Sequence, residues 1–200
     1  MPELLVASRN AKKLRELERV LAAAGIDGIE LVGLNRVPPF PEAPETGATF
    51  EENALAKARD GAAATSMACV ADDSGIEIDA LNGMPGVLSA RWSGGHGNDE
   101  ANTALVLAQL GDVPDDRRGG AFVSACALVT PDGQEMVVRG EWRGTIARTP
   151  KGDGGFGYDP IFVPDGSDRS AAELSADEKD AESHRGRALR KLVPALAALT

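Results

Sequence analysis

The chain has 200 residues and a formal net charge of −10, with 42% hydrophobic and 26% charged residues. This composition is globular, and the acidic balance argues against a general affinity for nucleic acid or for anionic membranes. Aromatic residues make up only 4%, which predicts an aliphatic, alanine-rich core, and no apolar stretch reaches transmembrane length.

Leu4 to Ala7 is a short apolar run that predicts a buried strand. The segment Met1–Ala7 has no basic start and too short an apolar run for a signal peptide, so the cytoplasm is the expected location. Ser8-Arg9-Asn10 then offers helix-capping chemistry. Leu14, Leu17, Val20, Leu21 and Ala24 recur at helical spacing, and Gly25 supplies a stop. Leu31-Val32 begins a second extended piece, and Pro38 to Pro44 reads as loop. Thr49 and Glu52 have the spacing of a capping box at the head of an alanine-rich helix through Ala54, Leu55, Ala58 and Ala62.

The next run, Ala68-Cys69-Val70-Ala71, predicts a strand that stops on Asp72-Asp73, with Ile76 and Ile78 alternating in a separate, half-exposed strand. A helix capped by Asn98 or Asp99 runs to Leu110. Phe122 to Val129 reads as a strand, Pro131-Asp132-Gly133 as a hairpin turn and Met136 to Val138 as the returning strand. Thr145 to Ala147 and Ile161 to Val163 predict two more short strands on either side of a glycine-rich loop, Lys151 to Pro160. A last helix starts near Asp177 or Ala181 and runs to the end, with Pro194 as a point of kinking. Alternating strands and helices with one hairpin predict a single α/β domain over residues 1–200, built on a mixed β-sheet flanked by helices. Cys69 and Cys126 sit in apolar runs and read as small buried hydrophobes in a reducing compartment.

Four segments carry chemistry. Asp72 and Asp73 put two carboxylates at the edge of a core, a costly placement that a divalent metal or a proton-transfer role would repay. Ser8-Arg9-Asn10-Ala11-Lys12-Lys13 places cations in the first turn of a helix, where they oppose the helix dipole. An anion bound there reverses the sign, which favours a phosphate site over lysines that merely pair with Glu16 and Glu18. It is not a P-loop, because the Gly-x-x-x-x-Gly-Lys-Ser/Thr pattern is absent. Phe156, Gly157, Tyr158 and Asp159 lie in a glycine-rich loop where a ring or an acid would meet a nucleobase, although one or both aromatics also suit the core. Lys179, His184 and Arg185 group basic donors near the last helix, whereas His96 stands alone in a loop and reads as surface.

Taken in order, these segments resemble one family, the inosine triphosphate pyrophosphatases or XTP/dITP diphosphatases. The matching blocks are Ser8 to Lys13, Glu45-Thr46-Gly47 with Phe50 and Glu52-Asn53-Ala54, Ala71-Asp72-Asp73-Ser74-Gly75, Pro85-Gly86, Ser89-Ala90-Arg91, Gly154 to Phe162, Ala171 to Leu174 and Ser183-His184-Arg185. The resemblance implies hydrolysis of deaminated purine nucleoside triphosphates (ITP, dITP, XTP) to the monophosphate and pyrophosphate. It implies an elongated α/β fold with two lobes and a central cleft, a homodimer, and Mg2+ as cofactor. Ser8, Arg9, Asn10, Ala11, Lys12 and Lys13 would hold the triphosphate. Asp73 would be the catalytic acid–base residue and a metal ligand, with Glu45 a second metal-side carboxylate and Asp72 in a supporting role. Ser74 would touch substrate, Phe156 to Asp159 would line the base pocket, and Lys179, His184 and Arg185 would read the base or the phosphates. Arg9 stands where many relatives carry a small residue.

Two rival readings remain from the residues alone. A phosphatase of the haloacid-dehalogenase type needs two acids on one face, whereas adjacent residues of a strand point to opposite faces. A non-catalytic nucleotide-binding module would bind ITP without metal-dependent hydrolysis.

Overall fold

The computed structural model describes residues 1–42 and 44–200; Ala43, within the expected Pro38–Pro44 loop, lies outside the described residues. Six strands form one mixed sheet in the order β2-β1-β3-β4-β5-β6. They are β1 (Glu3–Val6), β2 (Glu30–Gly33), β3 (Ala68–Ile78), β4 (Gly119–Val129), β5 (Glu135–Ile146) and β6 (Phe162–Pro164). The helices are α1 (Ala11–Ala23), α2 (Phe50–Thr65), α3 (Asp99–Gln109), α4 (Ala176–Glu182) and α5 (His184–Ala197). β1 runs parallel to β2 and to β3, and β5 runs antiparallel to β6. The expected mixed α/β architecture is therefore present. No helix among the described residues is long and apolar enough to cross a membrane.

The chain divides into two compact units. The first comprises residues 1–73, 124–140 and 185–200, and the second residues 74–123 and 141–184.

In the first unit the strands bury both faces. Leu4, Val6, Ala68 and Val70 share one core with Leu17 and Leu21 of α1 and Leu189, Leu192 and Leu196 of α5. Each fully buried leucine there contributes roughly 1.5–3 kcal/mol relative to exposure. The other face meets α2 at Gly61, where a Cβ would lie 2.5 Å from Cys69 Sγ and 2.9 Å from Leu5 Cδ2. Glycine inside a helix costs about 1 kcal/mol relative to alanine. Here it lets α2 approach the strands closely. Thr49 caps α2 by accepting from Glu52 N at 3.1 Å, but the expected capping box is only half formed, because the Glu52 carboxylate accepts from Ala48 N, one residue before the cap, rather than from Thr49 N.

In the second unit Ile76, Ile78, Val106, Leu110, Phe122, Trp142, Ile146, Ile161 and Phe162 form a separate core. Arg118 is buried in it and donates to the carbonyls of Ile146, Leu110 and Ala147, at 2.8, 2.6 and 3.0 Å. Carbonyl oxygens thus replace the water that its guanidinium loses.

Three expectations need correction. β3 does not stop at the aspartates but runs unbroken from Ala68 to Ile78, because both carboxylates find partners beside the strand. β5 is one strand of twelve residues rather than two short pieces, with its second half alternating buried and exposed positions. The last helix is two helices parted at Ser183, and α4 has its own capping box between Ser175 and Glu178. α5 continues through Pro194 to Ala197.

Candidate active site

Strand alternation separates the two aspartates, as two-residue periodicity requires. Asp72 shares the parity of Ala68 and Val70 and turns toward α1 and α5. There Lys13 Nζ donates to its Oδ2 at 2.6 Å and Arg185 to its Oδ1 at 3.2 Å. Arg185 also donates to Glu16 at 2.9 Å, so two cations and two carboxylates form one network around the buried Asp72. Burial drives the Asp72 carboxyl upward, but Lys13 and then Arg185 outweigh it and hold the group down at about 2. Asp72 is a fixed anion that anchors Lys13.

Asp73 shares the parity of Cys69 and turns toward α2. Asn53 Nδ2 donates to its Oδ2 at 3.0 Å and Lys57 Nζ to its Oδ1 at 3.2 Å. Lys57 also forms an ion pair with Glu45 and donates to the Asp72 carbonyl at 3.3 Å. The Asn53 side-chain oxygen in turn accepts from Gly47 N at 2.8 Å, which ties the Glu45–Gly47 loop to α2. A Cβ at Gly47 would lie 2.6 Å from that oxygen, so a larger residue would push the loop away. Burial raises the Asp73 carboxyl above its usual range, with Glu45 adding to it, while Lys57 and Asn53 act in the opposite sense. For Lys57 the first effect is burial, which lowers its affinity for a proton, but Asp73 and Glu45 prevail and raise it. Lys57 is therefore a cation.

The donor chemistry suits magnesium. Glu45 and Asp73 already converge on one cation, the Lys57 ammonium, and carboxylate oxygens are the ligands a hard divalent ion prefers. Among the described residues no group of three or more His, Cys, Asp or Glu forms a metal cage. Magnesium is usually held by one or two carboxylates, with water and phosphate oxygens completing its shell.

The N-terminus of α1 belongs to the same unit. Asn10 caps it by accepting from Lys12 N at 2.9 Å, and Ser8 Oγ accepts from Asn10 N at 3.1 Å. Its first turn holds Ala11, Lys12 and Lys13 and no acid. Lys12 is exposed, and Arg9 pairs with Glu42 at the surface. The helix end thus presents amide N–H groups and cations where its dipole favours an anion.

The other predicted residues lie in the second unit. Phe156 is an exposed aromatic, at 71%. Tyr158 is instead part of the core at 5% exposure, and its hydroxyl donates to the Ser89 carbonyl at 2.7 Å. Asp159 is buried, accepts from Phe156 N at 2.9 Å and pairs with Lys179. Lys179 Nζ also stands 4.6 Å from the centre of the Phe156 ring. Gly157 has φ +60°, the left-handed conformation that glycine tolerates. His184 stacks on Phe122, with ring centres 5.2 Å apart and planes 19° apart. Ser74 and His96 are exposed.

The structure thus gathers Ser8 to Lys13, Glu45, Asp73 and Arg185 in one unit, and Ser74, Phe156 to Asp159, Lys179 and His184 in the other. His184 and Arg185 are adjacent in sequence but fall in different units. Sequence reasoning missed Asn53 and Lys57, the two residues that hold Asp73. Their signal is an i, i+4 spacing that continues to Gly61, so all three lie along one face of α2.

A family model described as the Ham1 family matches residues 4–195. The chain is similar to the dITP/XTP pyrophosphatase of Nocardia farcinica, with 73% identity over 199 residues, covering 100% of this chain and 97% of that protein. Among solved structures it resembles a nucleoside-triphosphatase / dITP/XTP pyrophosphatase from Mycobacterium abscessus, with 68% identity and a TM-score of 0.84, covering 97% of this chain and 99% of the other. It also resembles a HAM1 protein from Coxiella burnetii, with 40% identity and a TM-score of 0.89, covering 99% of this chain and 100% of the other.

Proposed function

This chain belongs to the Ham1 family, and from that premise we propose that it hydrolyses deaminated purine nucleoside triphosphates (ITP, dITP and XTP), each to the monophosphate and pyrophosphate. The activity named for its relatives supports this reading. The observation that carries it is the Lys57 ammonium held by Glu45 and Asp73, in the same unit as an acid-free helix N-terminus. That arrangement handles a hard cation and a polyphosphate together.

Ser8, Asn10, Lys12 and Lys13, with the amides of Ala11 and its neighbours, take the phosphates; Arg9 adds a further cation to the same end of α1. Asp73 and Glu45 would hold magnesium. When bound, magnesium neutralises phosphate charge and makes coordinated water more acidic. Water attacks the α-phosphorus, the bond from that phosphorus to the bridging oxygen breaks, and pyrophosphate leaves. Asp73 accepts the proton of the attacking water, while Lys12 and Lys13 offset the charge that grows on the leaving group. Asp72 holds Lys13 in place. Arg185 braces Asp72 and Glu16.

Phe156 offers the flat face for the base, with Tyr158 and Asp159 fixing its loop and Ser74 touching substrate. Lys179 and His184 supply donors for a 6-oxo group. Adenine's amino group would leave such a donor unpaired, at roughly 1–3 kcal/mol per buried group. The reading extends to a cytoplasmic homodimer. The two free, buried cysteines suit a reducing compartment, and dimerisation rests on the family resemblance.

The test is a panel of ITP, XTP, dITP, ATP and GTP with magnesium, assayed for pyrophosphate. Pyrophosphate from the first three, at least roughly tenfold faster than from ATP or GTP, is expected. Release of orthophosphate, or binding without turnover, would contradict it.

A further inference from the structure

Phe156 is exposed, yet its loop is tied down, and one of the ties comes from α3. Exposed aromatic side chains on glycine-rich loops ordinarily move with the loop. Here the loop backbone is tied at successive residues. Phe156 N donates to Asp159, Gly157 N donates to Asp99 Oδ2 at 2.7 Å, and Asp159 N returns to the Phe156 carbonyl at 3.2 Å. Two of these bonds are internal to the loop. The bond to Asp99 comes from 58 residues away and reaches the residue next to the ring.

Asp99 is the first residue of α3, whose N-cap is Asn98, so its backbone is held by the helix and its charge suits the helix dipole. α3 is itself locked in this unit. Val106 is fully buried, and Asn102 accepts from Ser93 N at 2.7 Å. Gly157 needs its left-handed conformation for the chain to turn between the exposed ring of Phe156 and the buried ring of Tyr158. A charged acceptor on the Gly157 amide holds that turn.

We infer that Asp99 is a positioning residue for base recognition, acting through the Gly157 amide to hold the Phe156 ring where a purine stacks. The inference rests on the reading of Phe156 as the base platform. Asp99 touches neither the phosphates nor Asp73 in this role, so its loss weakens nucleotide binding without slowing the chemical step.

A double-mutant cycle on the full chain, with ITP and magnesium, tests it. Asp99→Ala is expected to raise KM about tenfold, the worth of one hydrogen bond to a charged group, with kcat within about twofold of the parent. Asp99→Asn keeps an acceptor oxygen and is expected to restore most of the KM. In a Phe156→Ala background, Asp99→Ala is expected to add nothing further, because the ring it positions is gone. An equal KM increase in both backgrounds would overturn the inference, since it would mark a general structural role. So would an unchanged KM in Asp99→Ala when Phe156→Ala alone raises it. An unchanged KM in Phe156→Ala would overturn the platform reading and this inference with it.

Discussion

The Asp72–Asp73 region and the Phe156 loop solve opposite problems. Around the aspartates, charge is buried or half-buried, and both carboxylates are matched by a cation or an amide: Lys13 and Arg185 on one side, Asn53 and Lys57 on the other. At Phe156 most of the side chain is left in water, the backbone is held by hydrogen bonds, and Lys179 Nζ stands over the ring. The difference follows from what each ligand part would need. A polyphosphate with a metal calls for preorganised charge, which is strong only where water is excluded. A purine face calls for an open aromatic surface that does not lose entropy on binding.

The comparison predicts that the two regions fail differently. Asp72→Asn leaves the buried Arg185 and the half-buried Lys13 facing a neutral group. Urea unfolding should show a loss of roughly 3–5 kcal/mol, the usual cost of breaking a buried pair by removing one partner. A loss under about 1 kcal/mol would place the network among surface ion pairs. Glu45→Gln removes one of the two carboxylates beside Lys57. Titration of activity should then need several-fold more magnesium, on the order of the tenfold effects seen for weakened metal sites, while the fold survives because Glu45 lies on a loop. An unshifted titration would remove Glu45 from the metal site. Phe156→Ala should change unfolding stability by no more than about 0.5 kcal/mol, as for other exposed positions. A clear loss of stability would mean that the ring packs into the core rather than serving a ligand.

Much of this was legible in the chain, for reasons that differ by element. The Thr49 cap of α2 was readable because Thr49 and Glu52 act locally, within one turn. The passage of β3 through Asp72-Asp73 was not. Aspartate disfavours strands, and what carries the strand through is a set of partners up to 113 residues distant in sequence. Tyr158 and Phe156 looked alike in sequence, and only the Ser89 carbonyl, 69 residues away, decides that Tyr158 is the core residue. Asn53 and Lys57 sat in plain view on the face of α2 that carries Gly61. Their role emerges once Gly61 is seen to bring that face against Cys69 and Leu5. The start of α4 had a local signal in Ser175 and Glu178, which form a complete capping box.

The central claim is that Asp73 performs the proton transfer while its neighbours hold cation and phosphates. The most direct measurement compares Asp73→Asn with the parent for pyrophosphate release from ITP and for ITP binding at equilibrium. Asparagine keeps the size of the side chain and a hydrogen-bonding oxygen, but it cannot take a proton. Turnover should fall by about 10²–10⁴-fold, the usual worth of a general base, with ITP affinity changed far less. Turnover within a few-fold of the parent would contradict the account.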